Sequence, residues 1–513
     1  MILLLLIITA FALALLYIKW TYTYWQRKGF PYYAPKIPFA VLDGVRKREV
    51  SLGMAVYDVY RTTKDKVVGI YLMTRPALLV RDAQLARDIL AKDFESFHDR
   101  GIHVDDEKDP QSRGGIFFLK GQDWKNLRGK LAASFTSGKL KGMFGIVENV
   151  ADKMVNYLNE QLAESDVKEF EMKHVMGTYA IDVIASLFFG LEINSFLEPN
   201  NEILNVSRKV NEPTFGSVVR GTCQFLYPSL EKLFIRMGWR EEAPNMMRQI
   251  VKRTIKMREE QNISRKDMLQ LLMQLRNKGE ISADDNDWSA NAGNADASKP
   301  MSIETIASNL FLFYVAGFET TASGISFTAF ELAQQPAALE KVQRDVKQAL
   351  EKHGNKFTYE AIQDMKYLEL CLMETTRKYP GLPILNRQCT RDYPLPDSNL
   401  VIKAGTPIII SLFGLHRDAN YFPDPMLWQP ERFVNQNYDP VAYMPFGAGP
   451  RHCIAQRWGK VIVKIALAKL LLNFNIEMNP VRKELEMANF GVSLLAKGGI
   501  NVRLSKKKAT VGA

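Results

Sequence analysis

The stretch FGAGPRHCIA, residues 446–455, sets one cysteine, Cys453, among two glycines, a proline and an arginine. Gly447 and Gly449 permit backbone angles denied to other residues, and Pro450 stiffens the approach. The apolar run VIVKIALAKLLLNF, residues 461–474, follows Arg457-Trp458-Gly459 and predicts a helix that begins just past the cysteine. Cys453 is therefore expected on a tight loop feeding a helix N-terminus, where backbone N–H groups favour a thiolate. Arg451 adds positive potential or a bond to an acidic group. The other cysteines, Cys223, Cys371 and Cys389, are far apart and form no CxxC or CxxCH pattern, so a zinc knuckle, covalent c-type haem attachment and a disulfide framework are all unsupported. Such sparse usage fits a reducing compartment.

A thiolate held this way suits axial ligation of haem iron, where it donates electron density that favours O–O cleavage. Phe446, Gly449, Arg451 and Cys453 resemble the haem-binding loop of the cytochrome P450 superfamily, the haem-thiolate monooxygenases. The final glycine of that pattern is Ala455 here, a departure that bears on tuning more than on ligation. Further matches come in the family's order. In AGFETT, Ala316 and Gly317 lie midway in a long apolar helix, where glycine costs about 1 kcal/mol relative to alanine. The resemblance implies an oxygen groove there, with Thr320 hydrogen-bonding the bound oxygen and Glu319 relaying protons. Glu374 and Arg377 in ETTR share a helix face at i,i+3, and Arg432 in WQPERF completes the family's buried Glu-Arg-Arg brace. Trp124 and Arg128, i,i+4 in WKNLR, resemble the family's grip on the haem propionates, as do Arg387 and Arg451; arginine's permanently charged planar fork suits carboxylates.

The resemblance covers nearly the whole chain and is nearest to insect microsomal members of the family-6-like group, through YWQRKG, FTSGKLK and AGFET. It implies the cytochrome P450 fold, mainly α with minor β, as one haem-thiolate catalytic domain over residues 39–513. Composition agrees with a folded protein: 513 residues, 47% hydrophobic and 24% charged.

Residues 1–18 carry no charged side chain and are just long enough to span a bilayer as one helix. A cleaved secretory signal is the competing reading, with Ala12-Leu13-Ala14 as its small-residue pattern, but no basic segment precedes the run. Lys19, Arg27 and Lys28 follow it, which places the body on the cytosolic side of a single-pass anchor, and the resemblance to microsomal members implies that the membrane is that of the endoplasmic reticulum. Asn205-Val206-Ser207 and Asn262-Ile263-Ser264 are formal glycosylation sequons that a cytosolic domain leaves unused. Residues 19–38, with Pro31, Pro35 and Pro38, read as a stiff extended spacer. VVGIYLMTRPALLV, residues 67–80, reads as two strands turning at Arg75-Pro76. Long helical patterns dominate beyond it, the longest from Ser302 to Gln334. Residues 277–299 are nearly devoid of apolar side chains and read as a mobile loop, and the basic end SKKKATVGA as a frayed tail.

No GxGxxG fingerprint or P-loop is present, so NADPH serves through a separate partner, NADPH-cytochrome P450 reductase, with cytochrome b5 as a second donor. A formal charge of +11 and a basic face of Lys120, Lys125, Lys130, Arg457, Lys460 and Lys464 suit an acidic donor or anionic membrane lipid; nothing calls for nucleic acid. Phe117, Phe118, Phe215, Phe311, Phe318, Ile384-Leu385 and Val492-Ser493-Leu494 match segments lining the family's distal pocket, which implies a lipophilic small molecule as substrate, foreign compound or hormone. The expected reaction inserts one atom of O2. Rival readings are a haem-thiolate isomerase or dehydratase, against which Glu319-Thr320 argues, a haem-binding carrier or sensor, and a tethered interaction protein without haem.

Overall fold

The computed structural model describes residues 2–102, 109–211, 215–238, 242–290, 301–478 and 485–507. Helices needed below are α1 (Ile2–Tyr22), α2 (Gly121–Ala132), α3 (Met172–Phe189), α4 (Ile303–Gln334), α5 (Lys366–Lys378) and α6 (Gln456–Asn473). One sheet contains β1 (Val67–Leu72), β2 (Arg75–Val80), β3 (Ile384–Gln388) and β4 (Pro407–Ser411) in the order β1-β2-β4-β3. Only β2 and β4 run parallel in it, Leu78 opposite Ile408, because a long helical excursion separates them in the chain. A three-stranded sheet joins Val167–Glu171, Asn501–Lys506 and Phe474–Met478, and a two-stranded ribbon pairs Tyr393–Pro394 with Val401–Ile402.

The axis of the helical body is α4. Ser302 caps it by accepting the Thr305 N–H at 3.1 Å, and 32 residues then cross the core without a break. It is apolar on most of its circumference because α3, α5 and α6 all pack against it. Tyr179 of α3 donates to the Ile462 carbonyl of α6 at 3.1 Å, tying those two neighbours together. By length and composition α4 is apolar enough to cross a membrane, as α1 is, yet most of α4 is buried inside the protein and the corresponding stretch of α1 is bare.

Several expectations change. α1 extends past residue 18 to Tyr22, and a further short helix, Tyr24–Arg27, follows. The stretch to residue 38 is docked on the sheet edge instead of standing clear as a spacer: Trp25 is buried, its Nε1 donates to Ile70 at 2.9 Å, and Pro31 accepts the Gly69 N–H at 2.7 Å. Gly69 permits this, since a Cβ there would meet the Trp25 ring at 2.4 Å. The β1–β2 turn lies at Met73-Thr74, with Met73 at φ 56°; Arg75 and Pro76 belong to β2, where Pro76 opposes Tyr71 near the strand start. Proline is tolerated at that position. Residues 282–290 are anchored, because Trp288 and Ala290 are buried and Lys139 Nζ donates to the Asp284 carbonyl at 2.7 Å. The expected tail is paired where it begins, Ser505 and Lys506 lying in the strand Asn501–Lys506 with Ser505 opposite Val167, while residues 291–299 of the expected loop and 508–513 of the tail lie outside the described residues.

Candidate active site

Residues 446–455 form a loop closed on itself. The Gly447 N–H donates to Met444 at 2.9 Å, His452 to Gly449 at 3.0 Å and Cys453 to Phe446 at 2.9 Å. Gly447 and Gly449 have φ of 76° and 68°, the left-handed region expected from the sequence. Gly449 is also held by space: a Cβ would come 1.8 Å from the Leu90 carbonyl oxygen, so the loop lies directly on that backbone. Ala455 caps α6 at φ −94°, an angle open to alanine, so the departure from glycine requires no backbone change.

Cys453 is exposed, unlike the buried Cys371 and Cys389. Burial nevertheless pushes its thiol above the ordinary value, with the Ala455 backbone N–H and the Arg128 charge pulling down without prevailing. A bound metal ion would add the positive charge that favours the thiolate at this position.

Around this loop gather Arg128 from α2, Arg387 from β3, Arg451 from the loop itself and Arg100. Arg100 went unnoticed in the sequence because nothing in SFHDRG marks it. Burial lowers the pKa of all four. Arg451 falls to about 9 and Arg100 to about 10, repulsion within the cluster adding to both shifts. Among the described residues the one carboxylate paired with the cluster is Asp99, 3.7 Å from Arg451 and already accepting the Gly121 N–H at 3.0 Å. Arg451 donates to the Leu119 carbonyl at 2.6 Å and lies over the Trp124 ring at 4.3 Å; Arg100 reaches Asn386 at 3.2 Å. The Nε atoms of Arg100, Arg387 and Arg451 are buried without a hydrogen-bond partner. Four guanidinium groups, one of them paired with a carboxylate and three with idle donors, fit a dianionic, carboxylate-bearing group such as haem with its two propionates.

On α4, Ala316 is exposed although Tyr314 and Phe318 are buried, so the helix is bared where AGFETT lies. Thr320 Oγ1 donates to the Ala316 carbonyl at 2.7 Å, and Glu319 is ion-paired with Lys173 of α3. Thr320 lies against the segment that leads into β3, where a Cβ on Gly381 would meet its Cγ2 at 3.3 Å, and Leu385 of β3 lies against the cysteine loop, 3.9 Å from where a Cβ on Gly447 would be. Of the expected pocket residues, Phe117 and Phe118 are half-buried and pack edge to face. Phe311, Phe318 and Leu494 are buried, whereas Val492 is 79% exposed. The side chain of Phe215 lies outside the described residues.

The expected brace is present as geometry. Glu374 accepts from Arg377 Nε at 2.8 Å and from Arg432 Nε at 3.1 Å, with all three side chains at most 1% exposed. The expected basic face is smaller than the sequence suggests. Lys460 and Lys464 both turn to Glu369, at 2.6 and 3.6 Å, and Lys464 is buried; Lys120, Lys125, Lys130 and Arg457 remain exposed.

The Cytochrome P450 family model matches residues 46–502. Probable cytochrome P450 6d5 of Drosophila melanogaster is 55% identical over 505 residues, covering 98% of this chain and 99% of that relative. Cytochrome P450 6d3 of Musca domestica is 52% identical with the same coverage, and Cytochrome P450 6k1 of Blattella germanica 36% identical over 98% of this chain and 97% of that relative. With similarity running the length of the chain and arginines arranged for a haem, this protein belongs to the cytochrome P450 family and is a P450 monooxygenase of the insect family-6 kind.

Proposed function

We propose that the chain is a membrane-anchored haem-thiolate monooxygenase in which Cys453 is the proximal ligand of haem b, inserting one oxygen atom into a lipophilic small molecule. The second atom of O2 leaves as water, which requires two electrons and two protons. NADPH supplies the electrons through a separate reductase, with cytochrome b5 as an alternative donor. Haem, when bound, supplies the chemistry that activates dioxygen.

The chain's own residues do the rest. Arg100, Arg128, Arg387 and Arg451 would hold the two propionates by charge-assisted bonds, and the Trp124 ring supports the Arg451 guanidinium. Phe446 and Gly449 shape the loop that presents the sulfur. Thr320 Oγ1, which donates to the Ala316 carbonyl, would be the hydroxyl available to hold a proton on this face of the helix, and the Glu319 carboxyl, once separated from Lys173, would relay protons to it. The body sits on the cytosolic face of the endoplasmic reticulum, α1 crosses the membrane, and the substrate is a foreign compound or hormone. The observation that carries this reading is the set of buried arginines with idle donors around the exposed Cys453 loop.

Its test is the absorbance of the reduced, carbon monoxide-bound protein, with Cys453→Ser as control. A thiolate signature in the parent and its loss in the variant is expected; iron held through nitrogen, or no haem uptake, ends the proposal. NADPH and O2 consumption with purified reductase then separates oxidation from carriage, and turnover without either identifies an isomerase or dehydratase.

A further inference from the structure

The brace and the cysteine loop communicate through one side chain. His416 follows the short helix Leu412–Leu415 at the end of β4 and is fully buried. Its carbonyl accepts from Arg377 Nη1 at 2.8 Å, and its ring Nε2 accepts the Met444 N–H at 3.2 Å. A donor pointing at Nε2 fixes the neutral tautomer with the proton on Nδ1. Tyr443 stacks on the ring at 5.9 Å and 28°, and Phe422 meets it edge-on at 5.9 Å. Met444 in turn accepts the Gly447 N–H, and Phe446, two residues on, accepts the Cys453 N–H, both at 2.9 Å. Met444 is buried, so its N–H has no water to turn to if the imidazole is removed.

We propose that His416 is the positioning residue that passes the rigidity of the Glu374–Arg377–Arg432 brace to the Cys453 loop, its Nε2 pinning Met444 where the loop begins. The proposal rests on Cys453 being the proximal ligand. The route from Arg377 to the Cys453 N–H runs through four hydrogen bonds and one ring. Burial, reinforced by the nearby Arg377 charge, keeps the imidazole neutral and therefore able to accept.

The test uses the full-length, haem-loaded protein and two variants. His416→Gln carries an amide oxygen to the position of Nε2, and His416→Phe fills the volume without an acceptor. Met444 amide exchange and the thiolate fraction of the carbon monoxide complex are read in each. In the Phe variant Met444 exchange is expected to accelerate about 10- to 100-fold, the weight of one lost buried hydrogen bond, and the thiolate fraction to fall; the Gln variant recovers most of both. A Phe variant that matches the parent in both, or a Gln variant as impaired as Phe, overturns the proposal. Should the Phe variant fail to fold, the parent decides: Met444 exchanging as fast as an exposed amide overturns it, and strong protection with Gln rescue sustains it. A parent without a thiolate signature ends the proximal-ligand reading itself and this proposal with it, whereas a parent with that signature and indifferent variants ends only this one.

Discussion

Two arginine clusters lie deep in the protein, and they differ in one respect. Around Glu374, Arg377 and Arg432 are fully engaged: Glu374 Oε1 also takes the Gln429 N–H at 2.9 Å, and the carbonyls of His416, Leu427 and Pro423 accept the remaining guanidinium donors. Around the Cys453 loop, Arg100, Arg387 and Arg451 keep idle Nε atoms, and among the described residues only Arg451 has a carboxylate partner. Desolvating a guanidinium is costly either way. The first cluster offsets that cost inside the polypeptide; the second leaves it for an anion that arrives from outside. The difference separates residues that make the fold from residues that the fold holds ready.

The largest expected effect comes from breaking the completed cluster. Glu374→Ala leaves two buried cations facing each other and is expected to cost about 3–5 kcal/mol, read as a lowered denaturation midpoint and poor recovery of folded protein. Arg387→Met tests the other side. It removes a buried charge without a carboxylate partner, so the haem-free chain is expected to be no less stable, while haem release accelerates about 10- to 100-fold for the loss of roughly 1.5–3 kcal/mol of charge-assisted bonding. Haem release unchanged in Arg387→Met, or a chain as unstable as Glu374→Ala, would erase the distinction drawn above.

A smaller effect sharpens it through pH. His416 is held neutral beside Arg377, its pKa lowered to about 3 by burial first and that charge second. The charged and titratable groups around it are Arg377 from α5 and Tyr443 from the segment before the loop. A histidine whose folded pKa lies below its unfolded one contributes stability that is complete above about pH 6.5 and drains away as pH falls toward 3. Below the unfolded value the slope approaches 1.4 kcal/mol per pH unit for this one group. Unfolding midpoints of the parent and His416→Gln between pH 7 and 5 are expected to converge as the solution is acidified; parallel curves would show that the imidazole is not the group responsible.

What was legible in the sequence had short-range causes. The loop glycines and the long apolar pattern of α4 each depend on neighbours within a few residues, and each appears where the pattern put it, with Ser302 capping the helix it was read as starting. The second cluster was legible only in part, because Arg100, Arg128, Arg387 and Arg451 come from four separated segments and an unpaired charge has no sequence period. His416 was missed for the same reason: its partners lie 39 residues before and 28 after. Turn and spacer were misplaced where proline was taken to end structure, although Pro76 sits near a strand start and Pro31 offers its carbonyl to Gly69. Composition misled at residues 282–290, where buried Trp288 and the reach of Lys139 outweigh polar surroundings.

The smallest expected effect extends the comparison to lysines on the surface. Lys460 and Lys464 share Glu369, whose carboxyl burial would raise but whose two ammonium neighbours hold below the ordinary range. Lys125 stands exposed on α2. If paired charges serve the fold and exposed ones serve association, Lys125→Ala is expected to slow reductase docking about two- to threefold at low ionic strength, an effect that fades by 0.15 M salt as the Debye length contracts to about 8 Å. Lys464→Ala is expected to leave the salt dependence of docking unchanged and to lower stability instead, because it strips Glu369 of one of its two partners. Stopped-flow reduction across a salt series, set beside thermal unfolding of the same two variants, separates the outcomes: a salt-sensitive rate defect in Lys464→Ala would place that paired lysine on the docking face after all.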